Sequence, residues 1–408
     1  MIAYRHHKIV FLNAQRRAFV ASDMMTGIPS HEDGTTMKIT PFETEHYFAR
    51  YEFNTPYQLC NSDCESLSIT ELLALAGGSL EEFGDQRLVY TESQGDPRLR
   101  AAIAAGYRSV EPEHVVVLGT PVEGIYLAAR TLLEAGDEVI VLAPAYDALV
   151  NAFEHVTGPG QVKKWPFRAA ADRWELDLDE LRGLLSPRTR LLVVNFPHNP
   201  TGYLPGPQWQ QELANIVEEH ALWLFSDEMY AGLVHAGTPP IPSAADLRGQ
   251  SVVLSGLSKT HGLPGLRCGW LVIRDEQVRE DLMNWKFYTS ICAPVPSEYL
   301  AIMALSVRDQ LRDRSLQQIR HNLDLADAFF ARWPDLFTWR KPLAGSTALV
   351  GYQVPSVAAV AEVLASQEGI LIQPAGMIGG DDHHMRIGLG RAAFGDVLSR
   401  FEKWLKRA

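Results

Sequence analysis

Short apolar runs alternate with amphipathic stretches through the middle of the chain. The apolar runs predict strands at His114–Leu118, Glu138–Leu142, Thr189–Val194, Leu222–Ser226, Ser251–Leu254 and Cys268–Ile273. Apolar spacing close to one helical turn predicts helices near Val122–Leu133 and Gln208–His220. This alternation predicts an α/β fold, in which a mostly parallel sheet carries helices on both faces.

The pattern changes after about Pro294, where helical runs precede short strands. Helices are predicted at Val295–Leu305, Leu311–Arg332 and Phe394–Leu405, and strands at Thr347–Tyr352 and Gly369–Gln373. These elements predict a smaller α+β domain that packs back on the first. We expect an N-terminal arm at 1–37, a segment at 38–75 that joins the small domain, a large domain at 76–293 and a small domain at 294–408.

The first 37 residues show no sustained periodicity and include the polar stretch Ser30–Thr36. We expect this arm to be dispensable, with Met37 as the working start of the protein. An arm that closes over the active site or a partner subunit is the alternative.

Composition and charge argue against several classes of function. A net charge of −12, from 37 basic and 49 acidic residues, argues against a nucleic-acid or anionic-membrane surface. No apolar run approaches the ~20 residues that span a bilayer. The four cysteines form one close pair, at Cys60 and Cys64, without the second pair of a zinc site, and the adjacent His383 and His384 lack ligand partners. We therefore predict no metal site and a cytoplasmic protein with reduced thiols.

The strongest candidate for a catalytic residue is Lys259, which follows an apolar strand and precedes a Gly/Pro-rich turn that ends at Arg267. Apolar surroundings favour the neutral amine over the ammonium, which prepares a lysine to bond with an aldehyde. A guanidinium fork binds phosphate in two places. Pyridoxal 5'-phosphate carries both an aldehyde and a phosphate, so it suits this pair of residues.

Two clusters upstream suit the same cofactor. Asn199 lies in a polar turn directly after the strand-like run at 191–194, and Asp227 ends the next apolar run, three residues before Tyr230. Asp227 could keep a pyridine nitrogen protonated, and Tyr230 could donate a hydrogen bond to a phenolate oxygen. A protonated pyridine ring withdraws electrons from a carbanion.

Together the motifs NPTG at 199–202, SDEMY at 226–230 and SKTHGLPGLR at 258–267 resemble those of fold-type I pyridoxal-phosphate enzymes, in the class I/II aminotransferase family. The resemblance extends from about residue 45 to the C-terminus. It implies a Schiff base on Lys259, a pyridine contact from Asp227, ring-oxygen contacts from Asn199 and Tyr230, and a phosphate contact from Arg267.

The same resemblance implies further site residues. Arg386, in a stretch that resembles the family's C-terminal strand, is expected to bind the substrate α-carboxylate, together with Asn199. Tyr146 matches the aromatic residue that stacks on the ring. Tyr90 matches a tyrosine that reaches the phosphate of the neighbouring subunit, which implies a homodimer.

The phosphate-binding segment departs from the family pattern. Gly119–Gly124 has Pro121 and Val122 where relatives carry a residue with a free N–H and a hydroxyl, and Gly256 stands where many relatives carry a serine. We expect Thr120, the Val122 amide, Ser258 and Arg267 to bind the phosphate at a helix N-terminus, with Ser255 as an alternative hydroxyl.

The implied activity is the transfer of an amino group between an L-amino acid and a 2-oxo acid, with Lys259 as the catalytic base. The spans Thr189–Gly202 and Ser255–Trp270 also resemble capreomycidine synthase-like members, so a lyase or cyclase acting on an amino acid is the alternative. A cofactor-binding regulator is a remote third, because the 36 residues before Met37 are too short and not basic enough for a DNA-binding module. Substrate specificity is expected in loops such as 52–66 and 285–293.

Overall fold

The structure is a computed structural model that describes residues 39–407. The prediction of a dispensable arm at 1–37 lies outside these residues. The domain boundaries proposed above stay predictions.

The helices and strands alternate along most of the described chain. The α-helices are α1 (Glu43–Tyr51), α2 (Ile69–Leu75), α3 (Leu80–Gly84), α4 (Pro97–Ala104), α5 (Pro121–Leu132), α6 (Ala148–Thr157), α7 (Leu178–Leu184), α8 (Pro207–Glu219), α9 (Glu276–Phe287), α10 (Val295–Ser306), α11 (Arg308–Phe330), α12 (Val357–Val363) and α13 (Phe394–Leu405). The strands are β1 (Tyr57–Gln58), β2 (Val115–Leu118), β3 (Glu138–Ala143), β4 (Val162–Pro166), β5 (Arg168–Ala169), β6 (Trp174–Glu175), β7 (Thr189–Asn195), β8 (Trp223–Asp227), β9 (Gln250–Gly256), β10 (Gly269–Ile273), β11 (Phe337–Thr338), β12 (Thr347–Tyr352), β13 (Ile370–Leu371), β14 (Gln373–Pro374) and β15 (His384–Gly388).

The large sheet has the strand order β2-β10-β9-β8-β7-β3-β4. Its strands are parallel except for β10, which runs antiparallel to both β2 and β9. Strands β2 and β10 are buried along their whole length, and separate apolar clusters fill the two faces of the sheet. This arrangement confirms the predicted α/β fold with a mostly parallel sheet and helices on both faces.

A smaller antiparallel sheet has the order β11-β12-β15-β14 and packs against α11 and α13 around a separate apolar cluster. The long helix α11 joins the two parts. Its residue Leu311 packs in a cluster of the large sheet, whereas Ile319 and Leu323 pack in the cluster of the small sheet.

The predicted strand at Gly369–Gln373 is wrong as a single element. Ile370 and Leu371 pair in parallel with β1, while Gln373 pairs antiparallel with Arg386 in β15. The chain therefore changes its pairing partner at Ile372, from β1 to β15. The pairing with β1 ties the segment before the large domain to the C-terminal part of the chain.

Within residues 39–407, no helix has both the length and the apolar character required to cross a bilayer.

Candidate active site

The candidate site lies at the carboxyl ends of three neighbouring parallel strands. Asn195 at the end of β7 is in register with Asp227 at the end of β8, and Asp227 is in register with Leu254 in β9. Asn199 and Lys259 follow β7 and β9 by a few residues. The fold therefore brings the three motifs to one edge of the sheet, where open α/β sheets bind ligands.

A cavity of about 590 Å³ opens at this edge, within the size range of small-molecule sites. The predicted site residues that line it are Val122, Tyr146, Asn199, Asp227, Tyr230, Ser258, Lys259, Arg267 and Arg386. Thr120 lies beside the cavity, where its hydroxyl accepts a hydrogen bond from Arg267. Tyr90 lies outside the cavity and is 85% exposed.

The Lys259 amine points into the cavity and donates a hydrogen bond to Ser62 Oγ at 2.8 Å. Burial lowers the pKa of Lys259 below its ordinary value; the Asp63 carboxylate opposes this shift and the Arg386 guanidinium adds to it. A lowered pKa increases the fraction of neutral amine, the form that can act as nucleophile or base.

Asp227 is buried, and its Oδ1 accepts a hydrogen bond from the Met229 backbone N–H at 3.0 Å. Burial raises the pKa of Asp227 to about 6, although the Met229 hydrogen bond and the Lys259 charge both oppose the shift. The carboxylate is therefore ionised at neutral pH and can accept a hydrogen bond from a protonated ring nitrogen.

Buried polar contacts hold the turn that carries Asn199. Asn195 accepts a hydrogen bond from the Asn199 N–H at 2.8 Å and donates one to the Asp227 carbonyl at 2.9 Å. The His198 ring contacts Thr201 Oγ1 at 2.8 Å and the Pro144 carbonyl at 3.0 Å. These contacts fix the backbone of the turn, so the Asn199 amide is held at the cavity wall.

Arg386 is 2% exposed and lines the same cavity. Its guanidinium donates to the Cys60 carbonyl at 3.0 Å and to Asn199 Oδ1 at 3.3 Å, while its buried Nε has no hydrogen-bond partner in the described part of the chain. Among residues 39–407, no carboxylate forms an ion pair with Arg386. A buried guanidinium in this state fits an incoming carboxylate, which could bind it through two hydrogen bonds.

Another part of the cavity lining has the features of a phosphate site. Arg267 reaches Thr120 Oγ1 at 2.5 Å beside the N-terminus of α5, and the Val122 N–H lies in the first turn, where no intrahelical carbonyl can accept it. Ser258 Oγ is buried without a partner in the cavity wall. Ser255, the alternative hydroxyl, donates instead to the Glu228 carbonyl at 3.3 Å and lines a different cavity.

Close backbone packing accounts for the glycine at 256. Gly256 and Gly269 are paired across β9 and β10. A side-chain carbon on Gly256 would come within 2.9 Å of the Cys268 carbonyl oxygen, and one on Gly269 within 2.8 Å of the Pro121 ring. A serine at 256 would therefore require the sheet to shift.

Sequence reasoning missed the wall that α1 and the following loop contribute. Cavity-lining residues from this part of the chain are Phe42, Thr44, Glu45, Phe48, Glu52, Asn61, Ser62 and Asp63. Only the expectation that loop 52–66 sets specificity pointed to this wall, and no residue of 285–293 lines the cavity within this chain. Glu45 accepts a hydrogen bond from the Tyr146 hydroxyl at 3.0 Å.

Tyr230 also lines the cavity. It is 4% exposed, and burial raises the pKa of its hydroxyl well above the ordinary value, while the Arg386 charge and a hydrogen bond with Ser62 oppose the shift. The hydroxyl thus stays protonated and can donate a hydrogen bond.

These residues fit pyridoxal phosphate. Two buried atoms of the cavity lining, Ser258 Oγ and Arg386 Nε, have no hydrogen-bond partner within residues 39–407 and suit a cofactor phosphate and a substrate carboxylate. The same cavity is lined by an amine of lowered pKa and a carboxylate ionised at neutral pH, the groups that an aldehyde and a pyridine nitrogen require.

Comparison with known proteins gives consistent results. The family model for aminotransferases of class I and II matches residues 66–393. Capreomycidine synthase from Streptomyces vinaceus is 34% identical over 350 residues, which cover 84% of this chain and 88% of that protein. The arginine–pyruvate transaminase AruH from Pseudomonas aeruginosa is 32% identical over 232 residues, or 54% of this chain and 53% of that protein.

Among solved structures, a pyridoxal-phosphate-dependent aminotransferase from Streptococcus suis superposes with a TM-score of 0.84 at 27% identity. The match covers 91% of this chain and 98% of that chain.

Proposed function

The chain belongs to the family of class I and II aminotransferases, and from that premise we propose that it moves an amino group from an L-amino acid to a 2-oxo acid. Its cofactor is pyridoxal 5'-phosphate. The observation that carries the proposal is the meeting of Lys259, Asp227 and Arg386 around one cavity, with an amine, an ionised acid and an unpaired guanidinium each in a suitable state.

The bound cofactor supplies an electron-withdrawing ring that stabilises negative charge on the substrate α-carbon. The Lys259 amine would hold the cofactor at its aldehyde carbon and, when free and neutral, would take the proton from the substrate α-carbon as a general base. Asp227 holds the ring nitrogen protonated. Arg386, with Asn199, binds the substrate carboxylate and orients the α-proton toward the lysine.

The remaining residues bind the cofactor. Arg267, Thr120, Ser258 and the Val122 amide hold the phosphate, and Tyr146 stacks on the ring. Asn199 and Tyr230 donate hydrogen bonds to the ring oxygen, and a donated Tyr230 hydrogen bond agrees with the raised pKa of that hydroxyl.

Covalent attachment at Lys259 is tested by borohydride reduction of the protein incubated with pyridoxal phosphate. The wild type should gain the mass of one cofactor, whereas Lys259→Ala should gain none and should lose turnover by about 10²- to 10⁴-fold. Lys403→Ala, which removes an exposed lysine on α13, is the matched control and should behave as wild type. A cofactor adduct that persists in Lys259→Ala contradicts the role.

A lyase or cyclase acting on an amino acid is the second candidate, because the relative with 34% identity over most of the chain is a capreomycidine synthase. Such an enzyme would use the same cofactor groups but would leave an added 2-oxo acid without a new amino group. Product analysis separates the two activities.

A homodimer in the cytoplasm is part of the proposal. Exposed apolar side chains occur on two segments that a hydrogen bond from Thr91 Oγ1 to the Ala293 carbonyl joins at 3.0 Å: Leu88, Val89, Tyr90, Phe287, Tyr288 and Ile291. Contact with a second copy would cover these residues. Tyr90 would then reach the phosphate in the neighbouring subunit.

A further inference from the structure

The charges that line the cavity do not balance once the cofactor and the substrate carboxylate are bound. Under the proposed function, the Lys259 amine bonds to the aldehyde, and Arg267 and Arg386 neutralise phosphate and carboxylate. Asp227 faces the ring nitrogen. The remaining acidic side chains of the cavity wall are Glu45, Glu52 and Asp63.

One of these three acids already has a cationic partner. Asp63 accepts two hydrogen bonds from the Arg391 guanidinium, at 2.6 and 3.1 Å. Glu45 accepts only a neutral hydroxyl, that of Tyr146, and neither Glu45 nor Glu52 forms an ion pair within residues 39–407. Two carboxylates of the cavity thus have no ion-pair partner among the described residues.

Glu45 and Glu52 both face the cavity from the same side of α1. Glu45, Phe48 and Glu52 are spaced by three and four residues, so they lie on one face of the helix and its C-cap, and all three line the cavity. We call these three residues the acidic wall. Burial, followed by the nearby Asp63 and Glu45 carboxylates, raises the pKa of Glu52, although the Arg391 and Lys259 charges oppose the shift.

Under the proposed function, Arg386 marks the position of the substrate carboxylate. The Arg386 guanidinium is 2% exposed, its Nε has no partner, and it lies 5.8 Å from the centre of the Phe48 ring. A carboxylate on Arg386 would therefore lie next to the middle of the acidic wall. An aliphatic side chain could run along Phe48 and bring its terminal group to the carboxylates.

We propose that the acidic wall selects amino donors whose side chain ends in a cation, such as a guanidinium or an ammonium group. The inference rests on the proposed function and adds the substrate class. Glu45 and Glu52 are the specificity-determining residues, and Phe48 packs on the aliphatic part of the donor. The charge of the donor would give the two carboxylates an ion-pair partner.

The kinetic test compares L-arginine with L-citrulline, which has nearly the same shape and a neutral end group. The purified holoenzyme should show a kcat/KM at least about 10-fold higher for arginine. Glu45→Gln and Glu52→Gln should each reduce this ratio severalfold, and the double variant should bring it close to one. Glu43→Gln makes the same charge change on the same helix at an exposed position outside the cavity, and should leave the ratio unchanged.

A binding test separates failure of this inference from failure of the proposed function. Calorimetry on the holoenzyme compares 5-guanidinopentanoate with 5-ureidopentanoate, which are arginine and citrulline without the α-amino group and cannot enter the reaction. Tighter binding of the guanidino compound, reduced in Glu52→Gln but not in Glu43→Gln, supports the wall even if no donor is transaminated. Equal binding of the two compounds, or equal kcat/KM for arginine and citrulline, overturns it while transamination stands.

Discussion

Burial acts on both central residues of the site and shifts their pKa values in opposite directions. Removal from water disfavours the charged form of any group, so it lowers the pKa of Lys259 and raises that of Asp227. Each shift serves the proposed chemistry differently. A larger fraction of the lysine is the neutral amine that can accept a proton, while the acid, at a pKa of about 6, still carries its charge at neutral pH.

The raised pKa of Asp227 predicts a pH-dependent cost in the cofactor-free protein. Its folded-state pKa of about 6 lies above the ordinary value of 3.8, so the folded state keeps a proton that the unfolded state has lost. Stability should therefore fall as the pH rises from about 4 to about 6 and stay lower above that. Asp227→Asn removes this loss, so its stability relative to wild type should rise by about 3 kcal/mol from about pH 4 to about pH 7.

Unfolding of the two apoproteins across this pH range checks the prediction. Parallel stability curves would contradict it. In the holoenzyme the same substitution should instead lower turnover, because the neutral amide cannot keep the ring nitrogen protonated.

At the residue scale, sequence patterns located the motif residues because each follows an apolar strand by a few positions. Ser62 gave no such signal: it contacts Lys259 from 197 residues away in the chain. Glu45 and Glu52 resemble ordinary solvated acids on a short helix. Their role depends on where α1 docks, which local patterns do not encode.

Helix α1 carries the acidic wall, and buried polar contacts hold the helix in place. Thr44 donates through its backbone N–H and its hydroxyl to the Asp147 carboxylate, at 3.1 and 2.6 Å. The Gln373 amide also donates to the Thr44 hydroxyl at 3.2 Å. The helix is thereby tied to the loop after β3 and to the small sheet.

Thr44→Val should loosen this attachment. The substitution keeps the shape but leaves buried polar partners unsatisfied, which should cost about 1–3 kcal/mol and raise KM for the amino donor. The measurements are the thermal midpoint and steady-state kinetics. Thr44→Ser retains the hydroxyl and should stay close to wild type; equal losses in both variants would show that the hydrogen bonds are not the cause.

Among elements, buried strands were predicted most accurately, because their apolar runs are continuous. The prediction at Glu138–Leu142 differs from β3 by one residue. Strand β4 was missed because the edge sequence VKKWP carries two lysines, which interrupt the apolar pattern and suit an exposed sheet edge. The split between β13 and β14 was missed because it depends on pairing partners rather than on local composition.

The whole molecule presents an exposed apolar surface that the monomer does not cover. Tyr288 is 90% exposed and Leu88 is 84% exposed. Sedimentation of the purified protein should give twice the mass of one chain, and Tyr288→Asp should shift it toward the monomer. Leu343→Asp, at an exposed leucine on the loop between β11 and β12, is the control and should leave the mass unchanged. A wild-type protein that sediments as a monomer would refute the dimer.

At this scale, the α/β architecture and the second sheet followed from element order along the chain. The placement of α1 against the large sheet did not follow from element order, so the acidic wall could not be predicted from the sequence.

The most direct test of the account is the fate of the donor nitrogen. The holoenzyme is incubated with L-amino acids labelled with ¹⁵N at the α-nitrogen, excluding alanine and glutamate, together with pyruvate and 2-oxoglutarate, and the products are analysed by mass spectrometry. The account predicts labelled alanine or glutamate in equal amount to a new 2-oxo acid formed from the donor. Consumption of a donor with no label in either product would contradict it.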